Sequence, residues 1–563
     1  MWLRRSQHLS FFSRRDAVYC HHDLTGELTG MSADLRDLIV AFGDGAEAAD
    51  VLRATTVVDA PRGHEFVETL SRLGILVGRN ADERERVASM VPVIGRWACF
   101  VDERAGVTVV RGRNLSTTPE LVRLDSWQSR LWRAIDGERN VQEVAAHLDG
   151  QPRDGRPRPG TLRRVIDTFS HWTHADQQWL KLSPTPLSYH RRGLPRPPWL
   201  ESTMPYPRLA DDAQPVDPFA TGDGGVDNRG YHREAIEDAS QQFEDRETTL
   251  AHLFRWPHPA LAGRRFGEAL VDRWRDAGRW PRGATRIVET GAGTGELAAA
   301  ALARLPVATH PNVRWTILEI SPALAAAQRA RLTEQGDRVE VRVCDVEEVD
   351  LGEGTIDVLV SNEMAGDLRS DWLDRDDLTK ASATARALLE RHGIDLGDAP
   401  KSFWLNSGAI ALVERAARAL APGGMLWLSE FGHRDAWPVE STQLDHAEVS
   451  LHFGVLAKVA RQLGLSCEIV DVVDLIGLDE SVDALSTTST FFRNLRALAA
   501  ARGVTIDKRA WTRDALTDAL GDALPLHRVG NLRFQPIGER VMGLRPREFL
   551  ALLATRPAGS PQP

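Results

Sequence analysis

Three glycines stand between a predicted buried strand and a predicted helix, in the segment IVETGAGTGEL that runs from Ile287 to Leu297. Glycine is needed where the backbone turns sharply and a ligand lies against it, because a Cβ would block the approach. The turn ends at a helix N-terminus, whose free N–H groups favour a carboxylate or a phosphate. Such turns occur in ordinary loops, in dinucleotide sites and in S-adenosylmethionine (SAM) sites, so the turn alone does not choose among them.

Polar side chains follow each of the next three predicted strands. Glu319 ends the second strand, where a carboxylate can accept both ribose hydroxyls of an adenosyl group. Asp345 follows the third strand, at a place suited to the adenine amino group, and Asn362 and Glu363 follow the fourth. Four strand–helix units with polar residues at the strand ends predict a doubly wound α/β sheet with its ligand at the switch point. The alternative is a sheet whose polar strand ends only cap helices.

The predicted cofactor-binding residues come from the ends of these four strands. They are Glu289, Gly291, Ala292, Gly293, Gly295, Glu319, Ile320, Asp345, Val346 and Asn362.

Several of these segments resemble one family. The pieces VETGAGTGELA, ILEISPALAAAQRARL and VLVSNEMAGDL are similar to class I SAM-dependent methyltransferases of the MidA type. LWLSEFGH and LDHAEVSLHFGVLAKVARQLGL resemble the family's later strand and the helix after it, so the resemblance covers Phe254 to Leu478. It implies a Rossmann-like fold, SAM as the cofactor, and an acceptor such as the protein arginine that the family's mitochondrial complex I assembly factor methylates.

The chain departs from the family pattern at three places. Residues 362–367 read Asn-Glu-Met-Ala-Gly-Asp where the family has Asn-Glu-Phe-Phe-Asp-Ala, so the aspartate comes one place later. Residues 430–432 read Glu-Phe-Gly in place of Asp-Tyr-Gly, and no Gly-Asp-Phe segment precedes the first strand. These departures concern the identity of the substrate more than the cofactor.

Carboxylates are the predicted catalytic groups. Methyl transfer requires the enzyme to position the acceptor and to remove its proton, and an arginine guanidinium must be held by carboxylates. Glu363, just past the fourth strand, is the first choice, and Glu430, at the end of the fifth, is the second. His446 is the third predicted catalytic residue, and the nearby histidines at 433 and 452 are further candidate bases. A lone histidine is more often structural or solvated.

An acidic insertion, residues 364–409, separates the fourth strand from the fifth. A solvated charged helix is the ordinary interpretation of such a segment. The alternative is a substrate lid whose carboxylates attract a cationic chain, with Asp367, Asp371, Trp404 and His433 as the predicted substrate-binding residues.

The first part of the chain contains no catalytic motif but has a repeated pattern of three short helices with flanking strands. We expect two tandem α+β winged-helix-like units, at residues 1–95 and 96–185. The segments DLTGELTGMSADLRDLIVAF and LWRAIDGERNVQEVAAHL resemble PqqD-like domains, which implies recognition of a precursor's leader peptide as an added strand. Scaffolding or homodimerisation is the open alternative. DNA binding is disfavoured, because the candidate recognition helix Val141–Leu148 has neither Arg nor Lys.

Composition limits the remaining possibilities. The chain has 563 residues and a formal net charge of −10, with Lys and Arg slightly in excess only over residues 1–200. This charge disfavours nucleic acid as the partner of the catalytic domain. No apolar run is long enough to cross a membrane. The four cysteines show no ligand spacing, so we expect no metal site and a reducing cytoplasm.

The predicted organisation continues with a linker at 186–230, a methyltransferase domain at 231–480, a C-terminal extension at 481–555 that forms substrate-site walls or packing, and a disordered tail at 556–563. The predicted function is a cytoplasmic SAM-dependent N-methyltransferase that acts on a peptide or protein, with arginine and a ribosomally made precursor peptide as candidate substrates. Two alternatives stay open: a small-molecule O- or N-methyltransferase with dimerising front domains, and a non-catalytic assembly factor that binds SAM.

Overall fold

The structure is a computed structural model, and its chain divides into two compact units. The first unit comprises residues 1–218, 493–506 and 519–532, and the second comprises residues 219–492, 507–518 and 533–563. The residues that the structure describes are 1–14, 17–55, 60–112, 118–153, 155–188, 208–209, 225–245, 248–278, 280, 283, 286–443 and 446–559. Most of the predicted linker, and the last four residues of the predicted tail, lie outside the described residues.

The first half of the first unit contains more strands than helices. Its strands are β1 (Trp2–Arg5), β2 (Leu9–Arg14), β3 (Ala17–His22), β4 (Glu27–Ser32), β5 (Ala46–Glu47) and β6 (Leu76–Gly78). Its helices are α1 (Ala33–Ala41), α2 (Ala48–Ala54), α3 (Ala60–Leu73) and α4 (Glu83–Ala88). The antiparallel strands β2, β3 and β4 form consecutive hairpins that the sequence interpretation missed.

The second half of the first unit repeats the three-helix pattern. Its elements are β7 (Val91–Ile94), β8 (Phe100–Glu103), β9 (Gly106–Arg111), β10 (Glu120–Arg123), α5 (Ser126–Arg133), α6 (Val141–Leu148), α7 (Pro159–Thr173) and β11 (Leu180–Ser183). The short strand β12 (Arg208–Leu209) follows in the chain and pairs with β2 of the first half. Capping boxes begin α5 at Asp125 and α6 at Asn140. Buried Trp132, Trp172 and Trp179 pack edge to face in the core of this half.

The second unit contains one large mixed sheet. Its strands are β13 (Arg286–Thr290), β14 (Arg314–Glu319), β15 (Val339–Val343), β16 (Ile356–Asn362), β19 (Leu420–His433), β23 (Ser466–Asp471) and β27 (Phe549–Thr555). Their spatial order is β15-β14-β13-β16-β19-β27-β23. The first five are parallel, and β27 is antiparallel to both of its neighbours. The order reverses at β13, so the switch point lies between β13 and β16, as the sequence predicts.

Helices and short strands complete the second unit. The helices are α8 (Ala239–Asp245), α9 (Leu250–Leu253), α10 (Phe266–Asp276), α11 (Glu296–Ala303), α12 (Pro322–Arg331), α13 (Ala383–His392), α14 (Ser407–Ala419), α15 (Phe453–Gln462) and α16 (Val472–Ile476). The remaining strands are β17 (Asp371–Asp374), β18 (Ser402–Leu405), β20 (Glu440–Gln443), β21 (His446–Val449), β22 (Leu451–His452), β24 (Asp483–Leu485) and β26 (Phe534–Pro536). In the C-terminal part of the chain, α17 covers Ser489–Ala500, α18 covers Arg513–Leu520 and β25 covers Val529–Gly530.

Three segments have structures that the sequence did not indicate. The predicted C-terminal extension, residues 481–555, contributes β27 to the sheet, where it pairs with both β19 and β23. Residues 231–253 contain a π-helical turn at Tyr231–Ala235 and the two short helices α8 and α9. The insertion 364–409 is not a single solvated helix, since β17 and β18 form an antiparallel pair and α13 packs into the core.

Among the described residues, no helix is both long and apolar enough to cross a membrane.

Candidate functional site

A cavity of about 1030 Å³ opens at the carboxyl ends of β13, β14, β15 and β16. Every predicted cofactor-binding residue except Gly295 lines it. One further wall comes from residues 225–245 and 248–255, which we call the cover segment. Its lining residues are Arg229, His232, Ile236, Phe243, Thr249, Ala251 and His252. None of these side chains was predicted from the sequence, because the short helices and turns of this segment carry little periodic signal.

The glycine turn has the backbone that its sequence predicts. Gly291, Gly293 and Gly295 have φ angles of +62°, +52° and +82°, in the left-handed region that other residues avoid. A Cβ on Gly293 would lie 2.9 Å from Cζ of Phe243, and one on Gly291 would collide with the side chain of Met364. Gly295 is the N-cap of α11 and supplies no side-chain cap, so the first N–H groups of that helix stay available to a ligand.

Glu319 lies at the end of β14, buried beneath the cavity. Its two oxygens accept hydrogen bonds from the backbone N–H of Ser321 (2.9 Å) and from Nε2 of Gln328 (2.8 Å). Gln328 Nε2 also donates to the carbonyl of Gly293 at 2.8 Å, which joins the glycine turn to the carboxylate. Burial raises the pKa of Glu319. Each oxygen keeps a lone pair, so this carboxylate can still accept a ribose hydroxyl.

Asp345 after β15 is held by the cover segment. Arg229 Nη1 lies 3.4 Å and Arg233 Nη2 3.6 Å from Oδ2 of Asp345, while Oδ1 accepts from the backbone N–H of Glu347. The Asp227 carboxylate beside Arg229 raises the pKa of that guanidinium, which stays charged. Two arginines of the cover segment therefore lie close to the carboxylate of Asp345, the residue predicted to bind the adenine amino group.

Glu363 follows β16 and lines the cavity, with a φ of +54° that is unusual for a residue with a side chain. Its oxygens accept from the backbone N–H of Leu250 at 2.9 and 3.0 Å, and Asn362 Nδ2 donates to Oε1 at 3.2 Å. Asn362 is itself fixed by Ser429, whose hydroxyl donates to Oδ1 at 2.8 Å. Removal from water raises the pKa of Glu363 to about 8. The first predicted catalytic carboxylate is therefore mostly protonated at neutral pH in this arrangement.

Glu430 is buried behind the cavity and does not line it. It accepts from the backbone N–H groups of Gly366 (3.1 Å) and Phe431 (3.0 Å). Burial, and then repulsion from Glu448 and Glu363, raise its pKa well above the ordinary value. The second predicted catalytic residue therefore does not contact a ligand in the cavity.

Two of the three predicted histidines, His433 and His452, do not line the cavity. His446 has its backbone in β21, and its side chain lies outside the described residues. His433 is exposed at the end of β19. His452 caps α15, since its Nδ1 accepts from the backbone N–H of Val455 at 3.4 Å.

The predicted substrate-binding residues divide into two groups. Asp367 lines the cavity, where Asn228 Nδ2 donates to it at 3.0 Å and His232 lies 3.2 Å away. Asp371 is 2% exposed and pairs with Arg369 at 2.8 Å, so it is a structural ion pair and the prediction of an open carboxylate is wrong.

Trp404 and His433 also lie off the cavity. Trp404 packs in a small core with Val226 and Val449, beneath the exposed ring of Trp372. A run of acidic and aromatic residues has the same sequence pattern whether its side chains are buried or open to a ligand. The predictions that Asp371 and Trp404 contact a substrate directly fail for this reason.

The residues present fit SAM. The glycine turn lines the cavity at positions where a Cβ would collide with neighbouring side chains. The buried carboxylate of Glu319 at the end of β14 can bind the ribose, and the carboxylate of Glu289 can balance the charge of a cation. Glu289 is 2% exposed and accepts from Trp315 Nε1 at 2.8 Å. Burial raises its pKa to about 7, and Glu319 adds to the shift.

Comparison with known proteins supports SAM as the cofactor. Residues 266–377 match the model of a family described as "putative S-adenosyl-L-methionine-dependent methyltransferase". Those residues include the glycine turn, Glu319, Asp345 and Glu363. No curated protein sequence matches the chain significantly.

Solved methyltransferase structures are similar to part of the chain. A SAM-dependent methyltransferase from Mesorhizobium loti is 14% identical, with 51% of this chain and 100% of that chain covered and a TM-score of 0.25. A geranyl diphosphate C-methyltransferase from Streptomyces coelicolor A3(2) is 13% identical, with coverages of 49% and 71% and a TM-score of 0.23. The MidA-type and PqqD-like resemblances are not addressed by these comparisons and stay predictions.

Proposed function

We propose that this SAM-dependent methyltransferase, whose second unit has the class I fold, methylates a nitrogen of a peptide or protein, and that the acceptor is a cation such as an arginine side chain. The observation that carries the proposal is the pair of carboxylates Glu363 and Glu430. Both take their hydrogen bonds from backbone N–H groups or from Asn362, and neither forms an ion pair among the described residues. The charge of Glu363 adds to the cost of ionising Glu430. A bound cation would offset that cost.

The chemistry follows from the position of Glu363. SAM, when bound, supplies an electrophilic methyl group. A guanidinium has no free lone pair until it loses a proton, so its nitrogen needs a base within reach. Glu363 lines the cavity and, with a pKa of about 8, is a stronger base than an ordinary carboxylate. Glu363 takes the proton that the acceptor nitrogen loses when the methyl group is transferred.

Glu289 gives a prediction about cofactor binding. Its pKa of about 7 means that it is protonated in the free protein below that pH, whereas SAM carries a net positive charge that favours the ionised form. We expect the affinity for SAM to weaken by up to about tenfold for each pH unit below 7 and to level off above it. Titration calorimetry between pH 5.5 and 8.5 measures this, and Glu289→Gln should remove the dependence. A flat profile for the unmodified protein would show that Glu289 does not face the cation.

The first unit supports recruitment of a peptide. Its strand β4 pairs with β3 on one side, and no other strand pairs with it among the described residues. An open strand edge is the surface on which an extended peptide can add as a further strand. We therefore place the leader-binding function, which the PqqD-like resemblance implies, at this edge. Homodimerisation through the same edge is the competing role.

Truncation is a poor test of recruitment, because the first unit includes residues far along the chain. Val529 and Gly530 pair with Val101 and Phe100, and Asn531 Nδ2 donates to the carbonyl of Gly95 at 2.9 Å. Removal of residues 1–190 would leave Val529, Gly530 and Asn531 without these backbone partners.

The acceptor is therefore best identified with the full chain. We expect peptides that contain arginine to gain methyl groups, and matched peptides with glutamine at that position to gain none, as measured by tandem mass spectrometry. Matched peptides with lysine show whether the site requires the planar guanidinium. Methylation of small amines alone, with all peptides unmodified, would contradict the peptide part of the proposal. Binding of SAM without transfer to any acceptor would favour the non-catalytic alternative.

A further inference from the structure

We propose that a row of arginines in the second half of the first unit binds an acidic segment of a polypeptide. The row, which we call the basic strip, consists of seven exposed arginines: Arg104, Arg123, Arg130, Arg156, Arg158, Arg163 and Arg164. The inference rests on the proposed function in one respect, because it names the charge of the peptide that the first unit recruits.

Contacts among α5, α7 and the turn between β8 and β9 make the basic strip continuous. Nη2 of Arg123 donates to the carbonyl of Ala105 at 3.4 Å, so Arg123 lies beside that turn. Arg130 follows Trp127 by one helical turn on α5, and residues at this spacing share a side of the helix. Cζ of Arg164, on α7, lies 4.0 Å from the centroid of the Trp127 ring. The other arginines of the basic strip on this side lie in the first turns of α7 or just before that helix.

The charges of the basic strip are not balanced within the first unit. None of the seven guanidinium groups forms an ion pair with a carboxylate among the described residues. Two bordering carboxylates have other partners. Asp167 pairs with Arg84 at 2.8 Å, while Asp149 accepts from the backbone N–H of Arg158 at 2.7 Å and from the hydroxyl of Thr161 at 2.8 Å. Arginines gathered without counter-charges repel one another, and an anionic partner removes that cost.

The N-terminus of α7 adds to the positive potential. The helix has 15 residues and begins with Pro159, and its N-cap, Arg158, makes no side-chain cap. The N–H groups of the first turn and the helix dipole therefore favour a negative charge nearby. A Cβ on Gly160 would meet nothing within 4 Å, so a chain can approach this turn without obstruction.

The surroundings of the basic strip favour a polypeptide over nucleic acid. Lys and Arg are only slightly in excess over residues 1–200, whereas domains that bind duplexes are strongly basic. Arg164 covers the ring of Trp127, which is the surface on which a base of a single strand would stack. In the same unit, β4 has an edge that no strand of the described residues occupies, and such an edge suits an extended peptide.

Fluorescence anisotropy with the full chain tests the basic strip. The probes are a short labelled peptide in which glutamate alternates with alanine, the same peptide with glutamine in place of glutamate, and a labelled DNA duplex. We expect the acidic peptide to bind at least about tenfold more tightly than the neutral one at about 50 mM salt, and the difference to vanish at about 500 mM, because exposed charges are screened. The duplex should bind more weakly than the acidic peptide.

A double variant reverses two charges of the basic strip, one on α5 and one on α7. Arg130→Glu combined with Arg163→Glu should weaken the acidic peptide about 10- to 30-fold, since two exposed attractions become repulsions. Arg53→Glu combined with Arg72→Glu is the matched control, because both are exposed arginines on helices of the first half. The control should keep the preference for the acidic peptide, and both variants should keep the circular dichroism of the unmodified protein.

Methylation kinetics connect the basic strip to the reaction. An acidic extension on an arginine peptide should lower KM for the unmodified protein and leave kcat as it is, because the extension binds away from the reacting atoms. The double variant on the basic strip should lose this advantage, so that peptides with and without the extension have equal KM.

The outcomes separate this proposal from the proposed function. Equal affinity of the unmodified protein for the acidic and neutral peptides would overturn the basic strip even if arginine peptides are methylated, and so would an equal loss in the control variant. Tighter binding of the duplex, or salt-dependent self-association in sedimentation that the double variant abolishes, would assign the arginines to nucleic acid or to a second copy and contradict the proposal. Selective binding of the acidic peptide, with no peptide methylated, would support the basic strip and contradict the proposed function.

Discussion

Replacement of Glu363 by Gln is expected to lower turnover by about 10²- to 10⁴-fold, the usual loss when a general base is removed. Glutamine preserves the shape of the side chain and can still accept from the backbone N–H of Leu250, so the fold of the strand end should survive. Affinity for S-adenosylhomocysteine should change by less than about twofold, because the reaction requires the carboxylate and the cofactor does not. Single-turnover kinetics with a methylated-peptide readout, and calorimetry on the same sample, separate the two effects.

The pH dependence of the same reaction gives a second measurement on Glu363. The base must be ionised, and its pKa is raised to about 8, so kcat/KM should increase with pH up to about 8 and then level off. Asp376→Asn is the matched control, since Asp376 is an exposed carboxylate of the same insertion and should leave the rate unchanged. Normal turnover by the Glu363→Gln variant would refute the catalytic assignment.

The cofactor side of the site was predictable because a parallel sheet repeats its geometry. Each strand ends at the same edge, so the residues that follow the strands, Glu319, Asp345 and Glu363, come together once the strands are recognised. The glycine turn adds a local signal, since positive φ angles require glycine at Gly291 and Gly293. Neither inference depends on contacts between distant parts of the chain.

The features that the sequence did not predict depend on such contacts. The run FLALLAT at 549–555 is apolar throughout, and periodicity does not distinguish a buried strand from a buried helix in so short a segment. It forms a strand because it pairs with β19 on one side and with β23 on the other. Asp371 reads as an open carboxylate until the fold brings the hydroxyl of Ser407, 36 positions later in the chain, to donate a hydrogen bond to it.

The cover segment was also beyond sequence reasoning, for a different reason. His252 lies in the four-residue helix α9, and Arg229 lies just before a π-helical turn; both elements are too short for a repeated face or a motif to mark a site. The role of Arg229 follows from Asp345, whose Oδ2 lies 3.4 Å from its guanidinium. Position in the fold, and not residue type, identifies them.

Substitution of Gly293 by Arg is expected to abolish cofactor binding, with a loss in affinity of more than about 100-fold. A Cβ at this position would lie 2.9 Å from the ring of Phe243, and the long side chain would fill the cavity between the glycine turn and the cover segment. The φ of +52° adds about 1–2 kcal/mol of strain for any residue with a side chain. That cost is small against the stability of a typical domain, so the variant should still fold.

Gly464→Arg is the matched control for Gly293→Arg. Gly464 has a φ of +82° and lies just after α15, and a Cβ there would meet nothing within 4 Å. Both variants therefore carry the backbone strain and the added charge, and only one of them occupies the cavity. We expect the control to bind S-adenosylhomocysteine with unchanged affinity, and both variants to keep the circular dichroism of the unmodified protein. Normal affinity in a folded Gly293→Arg variant would place the cofactor elsewhere, because no ligand can lie against the glycine turn once that side chain is present.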